Sequence, residues 1–272
     1  STSSAASDVY KRQTLFNIKN SMINSVKPNL IVSDSRGAWF RATILFILAL
    51  IGTVGMWSVV VFIPDIEKEF GLDRGTSSLL YAFTMIGFGF GTVIIGKFYD
   101  KFGIKKPILL ATFVLITSYY FYSIFPFYWQ FLILQFFMGF AASAFFGPAM
   151  ADISNFFNKQ RGFALSIVAS ANYVAGATWP LLIGYFLTFI DWRAAHFWIS
   201  ICLFIMIPLI LLLKNASVDE SKSHDMKQRY KDIRLDLSNN QIQVLLMLAG
   251  ICCCVAMACL LYTSPSPRDS NL

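Results

Sequence analysis

Residues 96–107, GKFYDKFGIKKP, concentrate the charge chemistry of the chain. They hold four lysines (Lys97, Lys101, Lys105, Lys106), one aspartate (Asp100) and two glycines (Gly96, Gly103). Lysines and an aspartate in such a stretch form and release ion pairs. These are worth little in water and more when partly buried. Two further polar residues fall inside long apolar runs, Asp152 and Asn172. An unpaired carboxylate at membrane depth is expensive. Asp152 is therefore expected to pair with Lys159 or Arg161, or to take a hydrogen bond at a helix end. Asn172 also needs a partner, either as a hydrogen bonder lining a cavity or as glue between helices. No G-x-S-x-G, no H-E-x-x-H and no paired intramembrane aspartates occur, so no enzyme chemistry is signalled.

The elements that must carry these residues are long and apolar. A helix needs about 20 residues to cross a bilayer, and apolar runs of that order cover 42–63, 77–98, 107–125, 128–157, 163–190 and 195–213. The first is expected to stop at Pro64. The segment after it, with Ile66 and Phe70 four apart, reads as a short amphipathic helix on the outer surface. The fourth run is longer than one crossing, and Pro148 predicts a kink in it. The loops between runs set the orientation. On one side they carry Lys97, Lys101, Lys105, Lys106, Lys159 and Arg161, and on the other Lys68, Arg74 and Arg193. The positive-inside rule then places the N-terminus in the cytoplasm.

Composition agrees. The 272 residues are 56% hydrophobic and only 14% charged, against about a quarter charged in a globular chain. The net charge of +7 sits in loops and tails beside apolar runs, so a lipid bilayer accounts for it and a nucleic-acid partner is not expected. Of the five cysteines, Cys202, Cys252, Cys253 and Cys254 lie within apolar runs and Cys259 follows them. Neither a disulfide framework nor a metal site is expected, and no cofactor is implied.

The expected organisation is a polar cytoplasmic segment over 14–41, a six-helix transmembrane bundle over 42–213, a charged cytoplasmic loop over 214–240, and the start of a seventh helix over 241–258. Residues 3–13, SSAASDVYKRQ, and 259–269, CLLYTSPSPRD, look like reading frames of sequencing adapters. The expectation is that 1–13 and 259–272 are adapter-derived tails, that the seventh helix is truncated, and that Met22 is the natural start.

The spacing G-x-x-x-D-[RK]-x-G-x-[RK]-[RK] over Gly96, Asp100, Lys101, Gly103, Lys105 and Lys106 resembles the signature between helices 2 and 3 of the major facilitator superfamily of transporters. The resemblance implies an all-α multi-pass membrane protein. Its fold would be two six-helix bundles of inverted three-helix repeats, of which this chain carries the N-terminal one. It also implies a secondary transporter that works by alternating access in the plasma (inner) membrane. Such a protein moves a small solute, with a coupling ion where one is used, and is monomeric when complete. The signature residues would be the latch, Asp100 pairing with Lys159 or Arg161 of the next inner loop and facing a helix end of the opposite bundle, with Asp152 close by.

Counting along each run puts Thr53, Trp57, Tyr81, Thr84, Phe145, Phe146, Asn172, Tyr173 and Trp179 at mid-depth, as candidates to line a solute cavity. Small residues at Gly87, Gly89 and Gly91, and at Gly139, Ser143 and Gly147, suit close helix contact. Residues 161–180, RGFALSIVASANYVAGATWP, and the DWR after them resemble the monocarboxylate and oxalate/formate porter branch, which implies a small organic anion. Gln135 stands where many proton-coupled members carry an arginine four residues before a glycine, here Gly139. The Gly-Pro signature that drug antiporters carry in helix 5 is absent from this chain's helix 5, since Trp179 precedes Pro180. A sugar or drug transporter, and a channel or scaffold subunit, are the competing readings.

Overall fold

A computed structural model describes residues 34–213 together with 238, 241–242, 244–245, 247–249 and 252. The adapter-like tails, Met22 and most of the charged stretch 214–240 lie outside the described residues. The chain divides into two units, Ser1–Val218 and Asp219–Leu272.

In the first unit the described residues are helices and turns, and six spans are long and apolar enough to cross a membrane. The first span is α1 (Arg36–Gly52) and α2 (Val54–Phe70), parted at Thr53. The second is α3 (Arg74–Phe102) and the third α4 (Lys105–Ile124). The fourth is α5 (Tyr128–Ala142), a 3-10 turn over Ser143–Phe145, and α6 (Gly147–Ser154). The fifth is α7 (Arg161–Phe186), and the sixth is α8 (Trp192–Leu203) followed by α9 (Met206–Leu212).

Three expectations about boundaries are corrected. The first helix does not stop at Pro64; α2 runs through it to Phe70, so Ile66 and Phe70 belong to the same span and form no separate surface helix. A proline inside a helix forfeits a hydrogen bond and costs about 3 kcal/mol. Phe62 and Ile66, buried on either side of it, offset that cost through packing. The second helix extends past residue 98 to Phe102, so Gly96, Asp100 and Lys101 are its last turns and only Gly103 and Ile104 remain as connection. The fourth span breaks just before Pro148, at Ser143–Phe146, and Pro148 opens the helix that follows. A proline is tolerated there because the first N–H groups of a helix lack partners anyway.

The spans pack most closely where side chains are smallest. A Cβ on Gly87 would strike the carbonyl of Phe136, and one on Gly139 the carbonyl of Thr84. One on Gly91 would meet Ser143 Oγ and the Phe140 carbonyl. The second and fourth spans are thus in backbone contact, the arrangement that small residues permit between helices in lipid. Gly89 and Gly147, expected to share in this, have open space where a Cβ would go.

In the second unit, residues 241–242, 244–245, 247–249 and 252 are helical. Ser238 Oγ accepts from Gln241 N at 3.4 Å, while Gln241 Oε1 accepts from Ser238 N at 2.8 Å. This reciprocal capping box starts the helix expected at Gln241.

Candidate functional site

The end of the bundle where α3 turns into α4 is held by polar contacts that the charge pattern did not foretell. Arg41, read from the sequence as the end of a cytoplasmic tail, lies inside α1 and is 4% exposed. Its Nε donates to Asp152 Oδ2 at 2.6 Å and its Nη2 to Oδ1 at 2.9 Å. The guanidinium also lies 4.6 Å from the Phe156 ring. Asp152 therefore takes Arg41 across the bundle, correcting the expected pairing with Lys159 or Arg161. A two-pronged guanidinium satisfies both carboxylate oxygens, the requirement for burying such a pair.

Asp34 lies just before the start of α1 and reaches the loop before α7. It sits in the left-handed region at φ 55°, which aspartate tolerates better than most residues. Its carboxylate accepts from the backbone N–H groups of Asn158, Lys159 and Gln160 at 3.3, 3.2 and 3.4 Å. Its own N–H donates to the Phe156 carbonyl at 3.2 Å. The side chain of Gln160 does not cap α7, and Asp34 instead gathers the backbone N–H groups of the loop that leads into it, up to the N-cap residue Gln160. Slight burial works against the charge, yet the three N–H groups and the Lys159 ammonium hold the Asp34 carboxyl below the usual carboxylate range.

The signature residues fall at the same end. Gly103 closes α3 at φ +72°, its N–H donating to the Tyr99 carbonyl at 2.8 Å. That conformation favours glycine, and it lets the chain turn straight into α4. Lys106 lies over the Phe102 ring at 4.6 Å and Lys101 over it at 5.3 Å. Lys105 Nζ reaches the Leu211 carbonyl at 3.5 Å. Asn155 Nδ2 donates to the Tyr99 hydroxyl at 3.5 Å, which ties the second and fourth spans at this end. Asp100 is exposed. Among the described residues the ion pairs are Arg41–Asp152 and Arg193–Glu69, so the expected contact of Asp100 with Lys159 or Arg161 is not made. The helix carries Asp100 out to the bundle surface, while Asp34 takes the backbone of the loop that holds Lys159.

At mid-depth the candidates separate into core and surface. Thr53, Thr84 and Phe145 are buried, which makes them core and corrects their assignment to a cavity lining. Thr53 returns its hydroxyl to the Ala49 carbonyl at 2.8 Å. Phe145 packs where a Cβ of Gly52 would lie. Thr84 donates to Gln135 Oε1 at 2.9 Å, and Gln135 Nε2 is 3.4 Å from the Tyr122 hydroxyl. Tyr122 stacks on His196 with ring centres 4.3 Å apart. Ser58 and Tyr119 share a hydrogen bond of 2.6 Å. Thr84, Gln135, Tyr122 and His196 thus form a polar core joining four spans, a network invisible to periodicity because its members lie on different helices.

Trp57, Tyr81, Phe146, Asn172 and Trp179 are half-buried and Tyr173 is exposed. Trp57 Nε1 donates to Asn172 Oδ1 at 3.1 Å, and Trp179 Nε1 donates to the Leu50 carbonyl at 2.8 Å. The opposite end of the bundle is tied separately. Glu69 accepts from Arg193 Nη2 at 2.6 Å and from Trp192 Nε1 at 2.8 Å, while Arg193 Nη1 donates to the Phe125 carbonyl at 2.8 Å.

Each end of a six-span bundle therefore carries its own polar tie, with a polar interior and half-buried Trp57, Asn172 and Trp179 joining the first and fifth spans. A sequence profile described as Major Facilitator Superfamily matches residues 45–269. The chain belongs to the Major Facilitator Superfamily. Relatives in this superfamily include the MFS-type transporter pynF of Aspergillus niger, 28% identical over 151 residues, covering 54% of this chain and 34% of that protein. The agnestins efflux protein AgnL12 of Paecilomyces divaricatus is 27% identical over 156 residues, 55% of this chain and 35% of that protein. The inner membrane transport protein YnfM of Escherichia coli is 23% identical over 172 residues, 62% of this chain and 41% of that protein. The matched stretch thus spans between about a third and two fifths of the length of these three relatives. For a major facilitator bundle, the residues that sequence reasoning missed are Arg41 and Asp34. Their signal was an Asp and an Arg flanking the first apolar run, each able to reach the near end of another span.

Proposed function

We propose that the whole protein is a secondary active transporter of a small organic anion, a monocarboxylate being the expected class, working by alternating access. Superfamily membership over residues 45–269 carries the transport reading, and the likeness of residues 161–180 to the monocarboxylate and oxalate/formate porter branch supports the solute class. Asn172, Trp57, Tyr81, Phe146, Tyr173 and Trp179 are proposed to line the solute path. A carboxylate buried without a cation or several donors is costly, so its charged anchor is assigned to the rest of the protein, as is any coupling ion. Gly96, Asp100, Lys101, Gly103, Lys105, Lys106, Lys159 and Arg161 are proposed as the latch against the opposite bundle, with the Arg41–Asp152 pair bracing it from within. The cation bias of the loops supports a cytoplasmic N-terminus in the plasma (inner) membrane, and the complete protein is proposed to be a monomer.

Uptake into proteoliposomes holding the complete gene product, with labelled lactate, pyruvate and oxalate against sugars and cationic drugs, tests this. Saturable uptake of an organic acid is expected. Saturable movement of a sugar or a cation with none of an acid would end the assignment. The agnestins efflux relative favours a second reading, export of a small organic product, and inverted vesicles read the direction.

A further inference from the structure

At the middle of the bundle the first and fifth spans exchange hydrogen bonds through two tryptophans. Trp57, on α2, donates Nε1–H to Asn172 Oδ1 at 3.1 Å. Trp179, on α7, returns Nε1–H to the carbonyl of Leu50 at 2.8 Å, just before α1 parts at Thr53. Asn172, Gly176 and Trp179 are spaced i, i+4, i+7 and share one face of α7. Gly176 matters because a Cβ there would come within 3.0 Å of the Trp57 indole. The ring lies flush against the helix, its N–H one turn below the glycine and aimed at Asn172.

This geometry fixes which way round the amide stands. An indole N–H only donates, so the Asn172 atom facing it is the oxygen, and the opposite orientation would set donor against donor. The nitrogen, with two N–H groups, is turned away from Trp57. It donates to no group among the described residues, and among them no buried side-chain nitrogen or oxygen lacks a partner. Asn172 Nδ2 is therefore open at the half-buried surface. A polar group at this depth finds a partner, and what satisfies an –NH2 is an acceptor. An ammonium group, which has only donors, cannot do so.

We propose that Asn172 is a specificity-determining donor for the transported solute, held in its donating orientation by Trp57 as a positioning residue, and that the solute presents a carboxylate or carbonyl oxygen to it. This rests on the transporter reading above and narrows it to solutes that accept hydrogen bonds at that point.

The test measures uptake of labelled lactate, pyruvate and oxalate by the complete protein in proteoliposomes, with KM and kcat for each acid the wild type carries. Asn172→Ala removes the donors and should raise KM about tenfold with kcat little changed. Asn172→Asp puts acceptors where the solute's own acceptor sits and should raise KM further. Asn172→Ser, which restores one donor, should recover part of the loss. Trp57→Phe keeps the ring over Gly176 but deletes the N–H, freeing the amide to turn; KM should rise roughly threefold, less than for the alanine variant. If the position 172 variants fail to insert, Trp57→Phe decides alone. Wild-type KM in Asn172→Asp or in Trp57→Phe overturns the proposal and leaves the transporter reading standing. A wild type that takes up none of the three acids but carries a sugar or a cation overturns the organic-anion assignment and this proposal with it, and leaves the transport reading standing.

Discussion

Arg41 of the first span and Asp152 of the fourth meet through two hydrogen bonds of 2.6 and 2.9 Å in a site only 4% and 6% exposed. The two residues are 111 positions apart, and this pair ties two spans that the sequence does not join. Removing one partner of a buried ion pair strands the other, at a cost of about 3–5 kcal/mol. Arg41→Gln should therefore lower the thermal midpoint of the detergent-solubilised full-length protein sharply. The double change Arg41→Met with Asp152→Leu, which removes both charges, should recover most of it. A double variant as unstable as the single one would mean that the pair contributes packing and not charge compensation.

The clasp between Asp34 and the backbone of residues 158–160 should depend on pH. Despite slight burial, the N–H groups of Lys159, Gln160 and Asn158 hold this carboxyl below its usual value. A group whose folded pKa is depressed stabilises fully above its unfolded value, about 3.9 for aspartate. That contribution fades as pH falls through the folded value. Amide-exchange protection of a peptide spanning residues 156–162, corrected for intrinsic rate, should be flat from pH 7 to 5 and fall below pH 4. Asp34→Ala should remove roughly 1 kcal/mol at neutral pH, about fivefold in protection. Unaltered protection in that variant would reduce Asp34 to a bystander.

Much of this architecture was legible because lipid imposes one strong rule, a run of about 20 apolar residues per crossing, and six runs obeyed it. Gly103 was legible only as a member of the spaced motif; its positive φ is a feature of the fold. The interior was harder. Arg41 and Asp152 have ordinary neighbours in sequence, and the expectation that Asp152 would pair nearby followed chain distance where the fold followed space. Pro64 read as a stop because its local cost is real, but burial of Phe62 and Ile66 outweighs it. Thr53, Thr84 and Phe145 share a depth with Asn172, and depth was all that counting could supply. Which face each residue presents depends on the break at Thr53 and on how the second and fourth spans meet, neither of which is written in a single helix.

The contact between those two spans makes a sharp contrast among glycines. Gly87 and Gly139 each lie against the facing backbone, at Phe136 and Thr84, whereas Gly89 faces open space. Gly139→Ala should force the helices apart and cost about 1–3 kcal/mol, as overpacking does. Gly89→Ala should be neutral or slightly stabilising, since alanine is the better helix former. Thermal unfolding of the two variants side by side reads the difference. Equal midpoints would show that the second and fourth spans have slack to separate.

Asp100 offers the test of the latch. It ends an exposed helical turn, one turn after Gly96, where a side chain would meet nothing within 4 Å, and three residues before the Gly103 turn. Within the bundle its carboxylate has no ion-pair partner among the described residues, so its neutralisation should leave folding and insertion alone. If its charge is used against the opposite bundle, the loss falls on the equilibrium between inward- and outward-open states. Couplings of this kind run about 1–3 kcal/mol, which is fivefold or more. Asp100→Asn in the complete protein should slow uptake by about fivefold or more, with the thermal midpoint within about 0.5 kcal/mol of wild type. Arg41→Gln should do the reverse, losing stability first. A slow but stable Asp100→Asn protein would separate the latch from the internal brace, and unchanged uptake would remove Asp100 from the mechanism.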